Sequence, residues 1–189
     1  MRNKAIINIL IDNKQNISKK RILCIGDIIL DHYIEGRVDR YSPEAPIPIL
    51  VYEKEVYKLG GVGNVAKNIT SLGARATLIK LSAKDNYTKE INSLLSVNKR
   101  IKKVDIQVNN FFTPIKTRYI NNNTHIVRVD KENENFKISN NAKKLIISTV
   151  IKNIKSHDLV ILSDYDKGFF DKELIQKIIK IFNINKKIV

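Results

Sequence analysis

The 189-residue chain contains one cysteine, no tryptophan, four prolines and seven glycines. A single thiol excludes a disulfide framework, and with it the small secreted scaffolds that depend on one. Cys24 lies inside the apolar run Ile22-Leu-Cys-Ile25 and reads as a core residue. No apolar run is long enough to cross a bilayer. The run Ala5–Ile11 is short, carries Asn8 and is stopped by Asp12, which makes it a poor signal peptide. A soluble protein in a reducing, cytoplasmic setting is expected. His32, His125 and His157 are far apart with no metal-ligand spacing, so no metal site is assigned.

Acidic residues are also scarce. Against 34 Lys and Arg there are 19 Asp and Glu, a net charge of +15 with a pI near 9.8. Such a balance raises nucleic acid or an anionic membrane as partners. The lysines, however, are spread through every segment, with no basic run and no interleaved aromatics. A bias toward Lys, Asn and Ile accounts for the charge, and neither nucleic acid nor membrane is expected. A phosphorylated substrate would be favoured by the same field. Hydrophobic content of 43% and charged content of 28% are globular values, and the length suits one domain with a small excursion.

What is present is an alternation of strands and helices. Residues 1–20 are expected to form an arm or helix ahead of the domain, which then occupies residues 21–189. Arg21–Ile25 is a continuous apolar strand ending at Gly26-Asp27. Pro43, Pro46 and Pro48 exclude helix and central strand for Tyr41–Pro48. Ile49–Tyr57 alternates as a half-exposed strand, Ala76–Leu81 is a strand and Tyr87–Val97 a helix. Lys103–Val108, Pro114–Ile120 and His125–Val129 are strands, the last two joined by an Asn121-Asn-Asn123 turn. Ser139 and Asp171 are placed to cap two amphipathic helices that flank a short buried strand, Leu159–Leu162. Lys186–Val189 begins another strand. The pattern implies an α/β fold with a mostly parallel sheet. The two-sided segments at about 30–57 and 105–130 fit better as a small β lid.

Four of the seven glycines fall within Leu59–Ala74: Gly60, Gly61, Gly63 and Gly73. Behind them Val65, Ile69 and Leu72 follow one helical stripe, with Gly73 at the C-cap position. The spacing is neither the dinucleotide fingerprint nor a P-loop. A Gly-Gly pair offers bare backbone N–H groups, and Asn64 adds an acceptor and a donor on one short arm. Together they can grip adjacent hydroxyls of a sugar; a tight turn before an N-capped helix is the plainer alternative.

In open α/β sheets, ligands bind outside the carboxyl ends of the strands. Gly26-Asp27…Asp31, Gly60-Gly61…Asn64 and Ser163-Asp164-Tyr-Asp-Lys167-Gly168 all fall at such ends. Asp27 and Asp31 can accept from sugar hydroxyls or cap the following turn. Asp164 can serve a hydroxyl, a water-bound Mg²⁺ or an Asx-turn. Lys116, Arg118 and Arg128 alternate on lid strands, where they can meet a phosphate or remain solvated.

The strings Gly26-Asp-Ile-Ile-Leu-Asp-His-Tyr33, Ser42-Pro-Glu-Ala-Pro-Ile-Pro48, Leu59-Gly-Gly-Val-Gly-Asn-Val-Ala-Lys-Asn-Ile69, Thr117-Arg118, Arg128-Val-Asp130 and Leu162-Ser-Asp-Tyr-Asp-Lys-Gly168 together resemble the ribokinase (PfkB) carbohydrate kinases. The match runs from about residue 21 to the last residue, and the heptose-7-phosphate kinase branch is the most similar. The resemblance implies a ribokinase-like fold whose β lid often pairs two subunits. It implies ATP- and Mg²⁺-dependent phosphorylation of heptose 7-phosphate at its anomeric hydroxyl, feeding lipopolysaccharide core synthesis. By the same resemblance Asp31, Gly60, Gly61 and Asn64 match sugar-contacting positions, and Asp164 and Lys167 match a motif lining the cleft. The family's Gly-Ala-Gly-Asp catalytic motif and nucleotide pocket have no counterpart in these residues. The expectation is an N-terminal kinase portion, its other half being separately encoded or lost.

Overall fold

A computed structural model describes residues 16–134 and 136–189. In chain order the elements are β1 (Arg21–Gly26), β2 (Ile28–Tyr41), β3 (Pro48–Gly61), α1 (Val62–Ser71), β4 (Arg75–Ser82), α2 (Asn86–Ser96), β5 (Ile101–Gln107), β6 (Ile115–Asn121), β7 (Thr124–Lys131), α3 (Asn140–Ile154), β8 (Leu159–Ser163) and α4 (Lys172–Ile184). Of the expected N-terminal arm, a helical turn at residues 16–18 is described, and Ile17 packs against the core. The run Ala5–Ile11 lies outside the described residues.

Four strands form a parallel sheet in the order β5-β4-β1-β8. Its central strands are apolar because both of their faces are covered. The period of two along each strand divides their side chains between two cores. Leu23, Ile25, Ile79 and Leu81 face Ile146 and Val150 of α3 and Ile178 and Phe182 of α4. Cys24, Ala76 and Leu78 pack with Val62, Ala66 and Ile69 of α1 and Ile91 and Leu95 of α2. Each fully buried Leu or Ile contributes about 1.5–3 kcal/mol. Burial also pushes the Cys24 thiol up to about 12, so it is inert at neutral pH. One polar exception interrupts β4: Lys80, 1% exposed, pairs at 2.9 Å with Asp105, its register neighbour on β5. Burial pulls the Lys80 pKa down, against the Asp105 hydrogen bond that holds it up.

The caps expected at Ser139 and Asp171 are present, and Asp85 supplies a third. Asp85 accepts from Thr88 N, Ser139 from Ala142 N and Asp171 from Leu174 N. Helix α1 differs: its N-cap is Gly61, and no side chain caps it, so Asn64 lies within the first turn instead of capping it.

The second sheet has the order β3-β2-β6-β7. β2 and β3 form a long antiparallel hairpin whose connection holds Pro43 and Pro46, with Pro48 opening β3, where no ladder donor is lost. β6 lies parallel to β2, and β7 closes the edge antiparallel to β6. This sheet is built from 28–61 and 115–131. The expected lid segment 105–130 is therefore too long at its start: residues 105–107 pair with β4 in the main sheet, because Ile106 is needed in the core. Near the C-terminus, Ile188 makes a single parallel bridge to Leu159. No helix among the described residues is long and apolar enough to cross a membrane.

Candidate substrate site

The three polar clusters at strand ends meet. β1 and β8 pair as far as Gly26↔Ser163, and Asp27 N donates to Ser163 O at 3.0 Å. Val62 N, at the start of α1, donates to Asp27 O at 2.8 Å. The first turn of α1 and the loop after β8 are thereby fixed on either side of residue 27.

The Asp27 side chain is 4% exposed and turns into that loop. Its carboxylate accepts from the backbone N–H groups of Tyr165 (2.8 Å), Lys167 (3.2 Å) and Phe169 (3.0 Å). Burial pushes its pKa up, and the three amides oppose that shift. Three donors leave little of this carboxylate for a ligand. The expected sugar contact at Asp27 is corrected to a structural one: it shapes the 164–169 loop.

Gly60 and Gly61 are each required by close approach. Gly61 has φ 54° and ψ −137°, and a Cβ there would stand 2.2 Å from Asp27 O. A Cβ on Gly60 would stand 2.6 Å from Asp31 Oδ2. Asp31 cannot swing away freely, because its Oδ1 is held at 2.6 Å by Arg118 Nη1. Both side chains are more than four-fifths buried. Asn64 is exposed in the first turn of α1.

Directly paired residues share a face of the sheet. Asp31 stands opposite Lys58 on β3 and Lys116 on β6, and Lys116 stands opposite Asp130 on β7. Two residues along, Tyr33 pairs with Arg118, and Arg118 with Arg128. The register therefore gathers Gly60, Asp31, Lys116, Arg118 and Arg128 on one face. Tyr33 sits among these cations, with Lys58 Nζ at 4.6 Å and Arg118 Cζ at 5.1 Å from its ring centroid. Arg128 is exposed and pairs with Asp130 at 2.9 Å.

Asp164 is exposed, and its Oδ1 accepts from Asp166 N at 3.0 Å, the Asx-turn arrangement. Lys167 Nζ reaches Glu132 at 2.8 Å, joining the loop after β8 to the end of β7. Both residues border a cavity of about 600 Å³ with Lys143 and Asp171. Glu132, Tyr33 and Lys58 escaped the sequence reading. Reading Ile28–Tyr41 as one strand would have put Tyr33 beside Asp31; nothing in the spacing marks Glu132.

No family model matches the chain. The bifunctional protein HldE of Aliarcobacter butzleri is 42% identical over 170 residues, which are 89% of this chain and 36% of that protein. That of Helicobacter pylori strain J99 is 40% identical over 171 residues, covering 90% and 36%. The chain is a homologue of HldE. It spans about a third of the length of these HldE proteins. Its fold is ribokinase-like. A carbohydrate kinase from Agrobacterium tumefaciens superposes with a TM-score of 0.65 at 15% identity, covering 89% of this chain and 52% of that one. The tetrameric inhibited form of phosphofructokinase-2 from Escherichia coli gives 0.65 at 14%, covering 89% and 53%. The HldE homologue thus shares about half of these kinase chains.

Proposed function

We propose that the chain is the sugar-phosphate-binding portion of an ATP-dependent PfkB-type kinase acting on heptose 7-phosphate at its anomeric hydroxyl, a step toward the lipopolysaccharide core. The observation that carries this reading is the single face holding Gly60, Asp31, Lys116, Arg118 and Arg128 beside the uncapped start of α1. In it Asp31 accepts from a sugar hydroxyl, held in place by Arg118, and Asn64 and the neighbouring amides take adjacent hydroxyls. Lys116 and Arg128 attract the 7-phosphate, Arg118 adding to their field. Asp164 and Lys167 line the cleft, and the second sheet closes over the sugar as a lid. The HldE homology favours the heptose substrate over other sugars.

ATP and Mg²⁺ are the co-reactants in this reading. Among the described residues no group of three or more His, Cys, Asp or Glu side chains can hold a metal ion. Mg²⁺ is usually held by substrate phosphates and water with only one or two carboxylates, so in this reading it enters with the ATP. The base and nucleotide pocket are assigned outside these residues, on the same chain or a second one. A homodimer pairing through β7 belongs to the same reading.

Calorimetry with heptose 7-phosphate tests the site. Asn64→Ala is expected to weaken binding about tenfold, the worth of one or two hydrogen bonds; unchanged affinity would remove the sugar-site reading. A coupled ATPase assay with the same sugar then asks whether the chain turns over unaided or binds without turnover.

A further inference from the structure

At the opposite end of the parallel sheet from the sugar site, a pocket of about 310 Å³ opens among the amino ends of the strands. β1 is six residues long, so about 20 Å of strand separates it from the Gly26-Asp27 turn. Arg21 and Arg75 open β1 and β4 as direct register partners. Lys99 and Arg100 lead into β5, and Lys102 on it pairs with Thr77. All five cations line the pocket, and all are exposed. Among the described residues none of them forms an ion pair, although twelve ion pairs occur elsewhere in the molecule. Arg100 is oriented by a 2.5 Å bond to Gly73 O.

The floor is polar and already satisfied. His157 is 6% exposed; its Nδ1 lies 2.7 Å from Asn153 O and its Nε2 2.8 Å from Thr77 Oγ1. A carbonyl only accepts, so Nδ1 carries the proton and Nε2 accepts from Thr77. The nearest acid in sequence, Asp158, is engaged by Arg21 N at 2.8 Å and by Lys20. Among the described residues no carboxylate and no Phe, Tyr or Trp lines the cavity, and its one ring, the His157 imidazole, is buried in the floor.

We propose that this amino-end pocket binds a compact, multiply charged phosphate, such as pyrophosphate or a small bisphosphate ester. Five cations converging on one small concavity attract a charge-dense anion, since their fields add over a few ångströms. The lack of an aromatic platform argues against a nucleobase or a single-stranded nucleic acid, which depend on stacking. The distance from the sugar face makes this a second site, separate from the proposed reaction.

The proposal has a built-in reporter. Burial lowers the His157 pKa, the Asn153 carbonyl raises it, Arg21 and Lys102 lower it, and Asp158 raises it. An anion between the cations offsets their part, so the imidazole pKa should rise. His32 and His125 lie on or beside the strands of the second sheet and serve as internal controls.

The test titrates inorganic pyrophosphate into the full chain, following the His157 resonances by NMR and heat by calorimetry. Saturable binding is expected, with an upward shift of the His157 pKa that His32 does not share. Arg75→Gln/Lys102→Gln should lose about tenfold in affinity, whereas the equal charge change Lys172→Gln/Lys180→Gln on α4 should not. An unmoved His157 pKa in the unaltered chain, or equal losses in both variants, overturns the site. Tighter binding of a single-stranded oligonucleotide through the same residues would overturn the compact-anion assignment.

Discussion

Gly61 and Asp27 show how much of a site can rest on two residues that need not touch a ligand. Gly61→Ala must accommodate both a left-handed φ and a 2.2 Å approach to Asp27 O, so we expect a loss of at least about 2 kcal/mol in a urea melt. Asp27→Asn keeps the size but replaces one acceptor oxygen by a donor facing backbone N–H groups. It should cost about 2–3 kcal/mol and raise hydrogen exchange in the 164–169 loop. In the sequence Asp27 and Asp31 read alike, each an acceptor placed at a strand end. They differ because Asp27 is directed at three amides more than 130 positions away, a contact that no local pattern announces. His157 sets a pH dependence. Its folded pKa lies below 6.5, so the unfolded chain takes up the proton first as pH falls. The stabilisation it provides is complete above about 6.5 and is lost below it. Denaturation at pH 7.5 and 5.5 should show that loss, and His157→Gln should flatten it.

Most elements follow from periodicity and caps. Helices α2, α3 and α4 begin where Asp85, Ser139 and Asp171 offer an oxygen, and the parallel strands follow their apolar runs. β2 is the exception. Its first residues are apolar and its later ones polar, so the segment has no single period, and only its partners β3 and β6 hold it extended for 14 residues. β5 was divided between sheet and lid for the opposite reason: Ile106 is one buried side chain in a run of mostly polar ones. β7 is exposed along its whole length, with Val127 49% and Val129 53% accessible. An exposed edge of this kind favours pairing with another strand. Val127→Lys/Val129→Lys should shift the proposed dimer to monomer in analytical ultracentrifugation, leaving thermal stability at low concentration within about 0.5 kcal/mol.

For the molecule as a whole, two cores lie back to back across four strands, and β1 is shared by both. The second sheet projects from the carboxyl end of the first, with the Asp27 and Gly61 backbones at its base. That arrangement could be foreseen from the order of elements; the gathering of Lys116, Arg118 and Arg128 beside Asp31 could not, because it depends on strand register.

The reach of Asp27 also has a consequence in time. Its last amide partner, Phe169, follows it by 142 residues. While the chain is being made, the first two strands and α1 emerge long before the donors that this carboxylate needs. A nascent chain ending near residue 160 would expose or protonate Asp27 instead of burying it, and the cleft would take shape only as the loop after β8 left the ribosome.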